Sequence, residues 1–187
     1  MALIKYIPLI GTTHSDIIDK CGGTISLGSS KPATGAAGLF GTGYTFNGSA
    51  VYVKANELQL TPEMSFSLWV KYNTVTTGFL LDCRSSEAGY QPLYYNTSEG
   101  IQFYGSGSST GGYIKIGALT AGTWYHLVAT IKNNVATIYL DGINKGSVSV
   151  SGLTMNSYAT IGNRHNFANS APNCIIQDVK IYNHALS

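Results

Sequence analysis

Charge is scarce in this sequence. Only 11% of its 187 residues are Asp, Glu, Lys or Arg, and 11 basic residues against 9 acidic ones leave a net charge of +2. That balance builds no clustered positive field, so nucleic acid and anionic lipid are excluded as partners. Long apolar runs are missing as well. None approaches the roughly 18 residues that a membrane helix requires, so no membrane insertion is expected. The opening "MALIKYIPLIG" has one lysine and a short apolar run broken by Pro8, unlike the core and cleavage site of a signal peptide. Cysteine is confined to Cys21, Cys83 and Cys174, an odd number, so at least one thiol stays unpaired. A secreted disulfide scaffold would carry a denser, even set, and no CxxC spacing suggests a metal site. Buried free thiols are the expectation, with one disulfide as the alternative.

Helical periodicity is nearly absent too. "SDIIDKCGG" supports one turn, capped by Ser15 and stopped by its glycines, and "NELQLTPEM" and "NHALS" support two more short turns. What the sequence does have is 22 glycines, 13 tyrosines and abundant Ser, Thr and Asn. That mixture suits strands, tight turns and surfaces that meet neutral, hydroxyl-rich partners. Alternation is clear in "ALIKYIPL", where Pro8 marks a strand end, and in "SFSLWVKYN", where Phe66, Leu68, Val70 and Tyr72 share one face. "GFLLDC", "PLYYN", "IQFYG" and "GYIKIG" follow as strands, with "TSEG" a hairpin turn and "GSGSSTGG" a long hairpin loop. The stretch from Trp124 gives a strand over 124–131, a turn at Asn133-Asn134 and a returning strand over 135–140. Asp141-Gly142 then delivers the chain into a third strand near 146–150. Asp141 is read as supplying turn geometry rather than a catalytic carboxylate. Strands with turns every 8–12 residues predict an all-β sandwich or barrel.

The order of the pieces carries a resemblance. "YTFNGSAVYVKA", "MSFSLWVK", "GTWYHLVATI", "ATIYLDGINKG", "ATIGNR" and "IIQDVKIYNHALS" follow one another as in the laminin-G-like, concanavalin A-like lectin-glucanase jelly rolls. The likeness begins near residue 40 and runs to residue 187. It implies a two-sheet antiparallel sandwich whose first and last strands, "ALIKYIPL" and "IQDVKIY", lie side by side. On that expectation residues 1–187 are a single finished domain. Strict alternation puts Gln177, Val179 and Ile181 on one side of the last strand and Ile176, Asp178, Lys180 and Tyr182 on the other, with Val179 and Ile181 in the core. In related members the first acid of a pair before this strand helps hold a structural calcium. Here the pair is Gln177-Asp178, so calcium is disfavoured and no cofactor is expected.

The enzymes of this resemblance carry two carboxylates on one strand in an E-x-D-x-E arrangement, which keeps them about 5–5.5 Å apart for retaining chemistry. Glu57, Glu63, Glu87 and Glu99 each lack an acid two or four residues away. The chain is therefore not expected to be an enzyme. His14, Asp16, Asp19 and Cys21 can be drawn as a metal or nucleophile cluster, although a capped turn explains them better. His126, beside Trp124, is read as structural. Sugar recognition uses aromatic faces for stacking and polar groups for hydroxyls. The densest supply surrounds "CRSSEAGYQPLYYN", giving Arg84, Tyr90 and Tyr94, with Tyr104 and Tyr113 from the strands that follow. Alternation allows only one of Tyr94 and Tyr95 into such a site, and the tyrosines serve equally well as core rim. A second candidate is the polar loop "GNRHNFANSAPN", with Asn163, Arg164, His165 and Asn166. The expected function is a carbohydrate-binding, lectin-like module displayed for adhesion on a virion, as in a phage tail or fibre, or on a cell surface. The alternative is a structural or protein-docking domain of such an assembly, partnered by other virion or surface proteins and lacking a glycan ligand.

Overall fold

The computed structural model describes residues 2–47, 51–59, 61–84, 92–103, 112–150, 156–166 and 171–187. It is all-β and consists of two antiparallel sheets. The first runs in the order β13 (Ile143–Ser149), β12 (Val135–Leu140), β11 (Trp124–Lys132), β6 (Met64–Tyr72), β15 (Asn173–Tyr182), β4 (Thr42–Asn47) and β3 (Ala33–Ala37). Strand β1 (Leu3–Ile7) pairs with the second half of β15, so the first and last strands are neighbours, as the resemblance implied. The second sheet runs β10 (Gly112–Ile114), β9 (Gly100–Phe103), β8 (Leu93–Asn96), β7 (Gly78–Asp82), β14 (Ala159–Ile161), β5 (Val53–Ala55) and β2 (Ile25–Leu27).

Alternation assigns the inner faces. Phe66, Leu68, Val70 and Tyr72 of β6 are fully buried, and Tyr72 meets Tyr95 of the second sheet with ring centroids 5.6 Å apart. One apolar core joins the inner rows of both sheets, including Leu81, Leu93 and Ile101 from the second. The long hairpins form where their turns predict. Asn133 and Asn134 take φ of 51° and 59°, and Asp141 and Gly142 take 52° and 78°, as tight two-residue turns between twisted strands require. The strand after Asp141-Gly142 starts earlier than expected, at Ile143, and absorbs a bulge opposite Ile138 and Tyr139.

Strand β15 corrects the strict alternation. Asp178 adopts φ 56°, and the pairing with β6 shifts register between Gln177 and Lys180. The bulge accommodates one extra residue, so Ile176 joins Val179 and Ile181 in the core. Gln177 turns to the outer face instead, where it pairs with Trp69.

Among the described residues the only helical piece is a 3-10 turn, His14–Asp16, whose N-cap is Thr13 rather than Ser15. "NELQ" and "NHALS" form no helix. The residues drawn above as a metal cluster are turn and ion-pair groups. Asp16 accepts hydrogen bonds from the Thr12 and Thr13 N–H groups, and Asp19 accepts from Tyr6, Cys21 and Gly23 while pairing with Lys5 at 3.1 Å. Cys21 is exposed, whereas Cys83 and Cys174 are buried, and all three are free thiols.

Candidate functional site

The second sheet has an outer face, and its residues are fixed by pairing. In β8, Tyr95 enters the core, so Tyr94 points away from it. Tyr94 lies opposite Gln102 of β9, and Gln102 lies opposite Tyr113 of β10. On the other side Tyr94 lies opposite Phe79 of β7, with ring centroids 4.5 Å apart. Directly opposed residues share a face, so Phe79, Tyr94, Gln102 and Tyr113 make one continuous row across four strands. Tyr113 is 40% exposed at its end, while Gln102 and Phe79 are buried within it.

A charged cluster flanks the row. A bulge between Phe79 and Leu81 brings Asp82 back to the outer face, opposite Thr160 of β14. Arg84 grips Asp82 in a forked pair, with Nε 3.0 Å and 3.2 Å from the two carboxylate oxygens and Nη2 3.0 Å from Oδ2. The same guanidinium lies 4.7 Å over the Phe79 ring, which ties the cluster to the aromatic row. His165 donates its backbone N–H to Asp82 Oδ2 at 2.8 Å, and its Nδ1 stands 3.4 Å from the same oxygen. Burial pulls the imidazole below its usual value and Arg84 and Arg164 add to that, against the opposing pull of Asp82. His165 is therefore neutral at pH 7. Asn163 anchors its loop by donating to the Val51 carbonyl and accepting from the Arg164 N–H. Further along, Lys54 sits 3.9 Å over the Tyr158 ring.

Most of the residues singled out from the sequence thus meet on one face: Arg84, Tyr94 and Tyr113, with Asn163, Arg164 and His165 on the adjoining loop. Tyr90 and Tyr104 lie outside the described residues. Sequence reasoning did not find Phe79, Asp82 or Gln102. Their only signal is register, because each earns its place by standing opposite Tyr94 or Thr160 in a neighbouring strand.

The opposite outer face carries a different group. Trp69 stacks on His126 with centroids 4.8 Å apart, and Phe40 meets Trp69 edge-on at 6.0 Å. His126 Nε2 bonds Ser67 Oγ at 2.8 Å, and its backbone N–H is held by Asp141, which is the structural use expected of it. Gln177 Oε1 accepts the N–H groups of Leu39 and Phe40. Among the described residues no three His, Cys, Asp or Glu side chains gather as metal ligands. Asp19 and Glu57 both approach the Lys5 ammonium, at 3.1 Å and 3.9 Å. Both stay ionised. Burial raises the Asp19 carboxyl, but the N–H groups of Tyr6 and Cys21 and the Lys5 ammonium outweigh it, and the Thr24 N–H and hydroxyl hold Glu57 down. Neither serves as a proton donor near neutral pH.

These sheets define a concanavalin A-like sandwich. The chain belongs to the Laminin_G_3 family, concanavalin A-like lectin/glucanases superfamily, whose model matches residues 46–187. No curated protein sequence matches it. Among solved structures it is similar to domain 4 of AbnA, a GH43 extracellular arabinanase from Geobacillus stearothermophilus, solved in complex with arabinotriose. That match has 21% identity and a TM-score of 0.77 over 99% of this chain and 94% of that one. It is also similar to the botulinum neurotoxin type G receptor binding domain, with 16% identity, a TM-score of 0.72, and coverage of 100% of this chain and 49% of that one. Trypanosoma rangeli sialidase matches at 17% identity and a TM-score of 0.68, this chain spanning 32% of it. At these identities the likeness is one of fold.

Proposed function

We propose that residues 1–187 form a single non-catalytic domain that binds carbohydrate through the outer face of the second sheet, displayed for adhesion on a virion or cell surface. The observation that carries this reading is the row Phe79, Tyr94, Gln102, Tyr113. The exposed Tyr113 ring and the partly exposed Tyr94 ring offer stacking area and phenol hydroxyls on a rigid sheet, at little entropic cost, with Phe79 and Gln102 buried in the row as their support. The arabinotriose complex of the arabinanase domain, which shares this fold, supports it. The non-catalytic part rests on the carboxylates: Asp82 is locked to Arg84, and Asp19 and Glu57 are held as anions around Lys5.

The test is a glycan array followed by titration of the best hit into Tyr113→Ala. Tyr113 is exposed, so its removal is expected to leave the fold intact and weaken binding three- to tenfold, the equivalent of about 0.5–1.5 kcal/mol for one stacked ring. Unchanged affinity in that variant would move the site off this face. A second reading, a protein-docking domain, has its own observation: Leu39 and Phe40 are 41% and 45% exposed beside Trp69 on the opposite face. A silent array, together with loss of assembly in Phe40→Ser, would favour it.

A further inference from the structure

The first sheet changes partners along its last strand, and a cleft opens where it does. Residues 173–176 of β15 pair with β4, whereas residues 179–182 pair with β1. At the bulge between them the Asp178 N–H donates to the Pro8 carbonyl at 2.8 Å, and Ile10 bridges to Gly43, so the chain leaving β1 crosses to the start of β4. Residues 11–20 then return to β1 and are tied at both ends. The Gly11 N–H donates to the Thr42 carbonyl at 2.9 Å, and the Lys20 N–H to the Tyr6 carbonyl at 2.8 Å. The Tyr44 hydroxyl donates to the Thr13 carbonyl at 2.6 Å and pins the middle. Gly11 has φ 146°, and a Cβ there would lie 2.4 Å from that of Asp16, so glycine is what lets the turn close this tightly. The result is an open cleft of about 900 Å³, within the size range of small-ligand sites, whose walls are fixed by these hydrogen bonds.

The lining has two characters. Tyr6, Pro8, Ile10 and Ile18 make it apolar, and Ile18 is 42% exposed there. Tyr6 stands on the outer side of β1, because its neighbours Lys5 and Ile7 are buried. The Lys180 ammonium, paired with Asp178 at 2.8 Å, sits 5.1 Å over the Tyr6 ring and steadies it. Thr12, Ser15 and Thr42 bring hydroxyls, and Lys20 brings an ammonium. Asp16 brings a carboxylate that the Thr13 and Thr12 N–H groups hold below its ordinary value, so it is an acceptor at neutral pH. A sugar ring is built to match, with an apolar C–H face and hydroxyls that both donate and accept.

We propose that this cleft is a second saccharide site, separate from the aromatic row. A short oligosaccharide lays its C–H face against Tyr6, Ile10 and Ile18, and its hydroxyls meet Asp16, Lys20 and the threonines. The ligand class rests on the carbohydrate-binding reading above, whereas the position does not. Tyr6 stands on the outer side of the first sheet and Tyr113 on that of the second, so the two sites lie on opposite sides of the sandwich.

The experiment is an amide-resolved NMR titration of the whole chain with arabinotriose, cellotriose, maltotriose and chitotriose. Each is taken to about 10 mM, which fills roughly nine-tenths of a site whose Kd is about 1 mM. At least one of them is expected to give saturable shifts at the Gly11, Thr12, Lys20 and Thr42 amides. Two variants at exposed positions locate the contact. Ile18→Asn replaces an apolar surface with a polar one and is expected to weaken binding at least about threefold. Ser15→Trp fills the cleft and is expected to abolish the shifts. Saturable shifts confined to the Tyr94, Gln102 and Tyr113 amides would overturn the cleft and keep the carbohydrate reading. Cleft shifts that survive both variants would overturn it as well, because the sugar would then be bound elsewhere. Cleft shifts with none in the row would keep this site and move the first one off its face. No shifts at either place would sink both.

Discussion

Gln177 offers a sharp test of how this sandwich holds its outer strap, residues 38–41 between β3 and β4. Its side chain is fully buried, and Oε1 accepts two backbone donors, the Leu39 N–H at 2.7 Å and the Phe40 N–H at 3.2 Å. Its Nε2 adds a long contact to the Gly41 carbonyl at 3.5 Å. The site has no room to spare: a Cβ on Gly38 would lie 2.4 Å from Nε2, and one on Gly43 would lie 2.9 Å from it. Gln177→Leu keeps most of the volume and deletes the acceptor, leaving both N–H groups unpaired. Each partly buried donor costs about 1 kcal/mol, the low end for such groups, so the loss is about 2 kcal/mol. For a chain of this size that lowers the melting temperature by about 4–8 °C. Leu39→Ala is the control, because it trims an exposed side chain and keeps the N–H in place. Calorimetry on the three proteins decides. A shift below about 1 °C in Gln177→Leu would mean that these hydrogen bonds do not fasten the strap, and a Leu39→Ala shift of equal size would assign the effect to side-chain packing.

Other outcomes follow from the same geometry. Lys5→Met leaves Asp19 buried without its cation and is expected to cost about 3–5 kcal/mol; a melting temperature within about 2 °C of the parent would refute the buried pair. Asp19 has its carboxyl held down, despite burial, by two N–H groups and Lys5, so its stabilisation is present above the ordinary carboxylate range and lost as pH falls through the depressed value. Stability should therefore decline below about pH 4, and a flat profile down to about pH 2.5 would contradict it. Chelator should leave the melting temperature unchanged, because Gln177 is engaged by backbone donors; a calcium ion at a hundredfold excess over its Kd would contribute about 2.7 kcal/mol and show as a shift of several degrees. Incubation with β-glucans, galactans or host-type glycans should release no reducing ends, and steady turnover abolished by replacing a single glutamate would overturn the non-catalytic reading.

The parts of the fold legible in the sequence are those whose signal is local. Strand β6 announces itself by four alternating large residues, and β11 to β13 by Asn133-Asn134 and Asp141-Gly142, whose backbone sense few other pairs supply. Strands β2 and β3 escaped notice because "ISL" is only three residues and "ATGAA" is short and mostly exposed, so neither carries an apolar stripe. The β15 bulge escaped for a different reason. Nothing in "IQDVKIY" marks Asp178 as left-handed until the Pro8 carbonyl is there to accept its N–H. The candidate site divides the same way. Arg84, Tyr94 and His165 were visible as residue types in polar, aromatic-rich segments. That Phe79 and Gln102 complete a row with Tyr94 is a fact of pairing between strands, and the bulge that turns Asp82 outward has no sequence mark.

Tyr94 and Tyr95 show why a binding face on such a scaffold can change without endangering the fold. The two residues are adjacent and chemically identical, yet one is 2% exposed against Tyr72 in the core and the other stands in the outer row against Phe79. The pleat alone separates their duties. Substituting Tyr95 removes a large buried side chain and leaves a cavity between the sheets, a loss of the order of 3–5 kcal/mol for an aromatic replaced by alanine. Tyr113, at the open end of the outer row, is 40% exposed and is not a member of the core cluster. The core and the proposed binding row therefore occupy alternate positions of the same strands. The inner series is bound by packing between the sheets, whereas the outer series, in which Phe79 and Gln102 are themselves buried, lies outside that core. A scaffold built this way can hold its sandwich at low sequence identity while the residues of its outer rows vary.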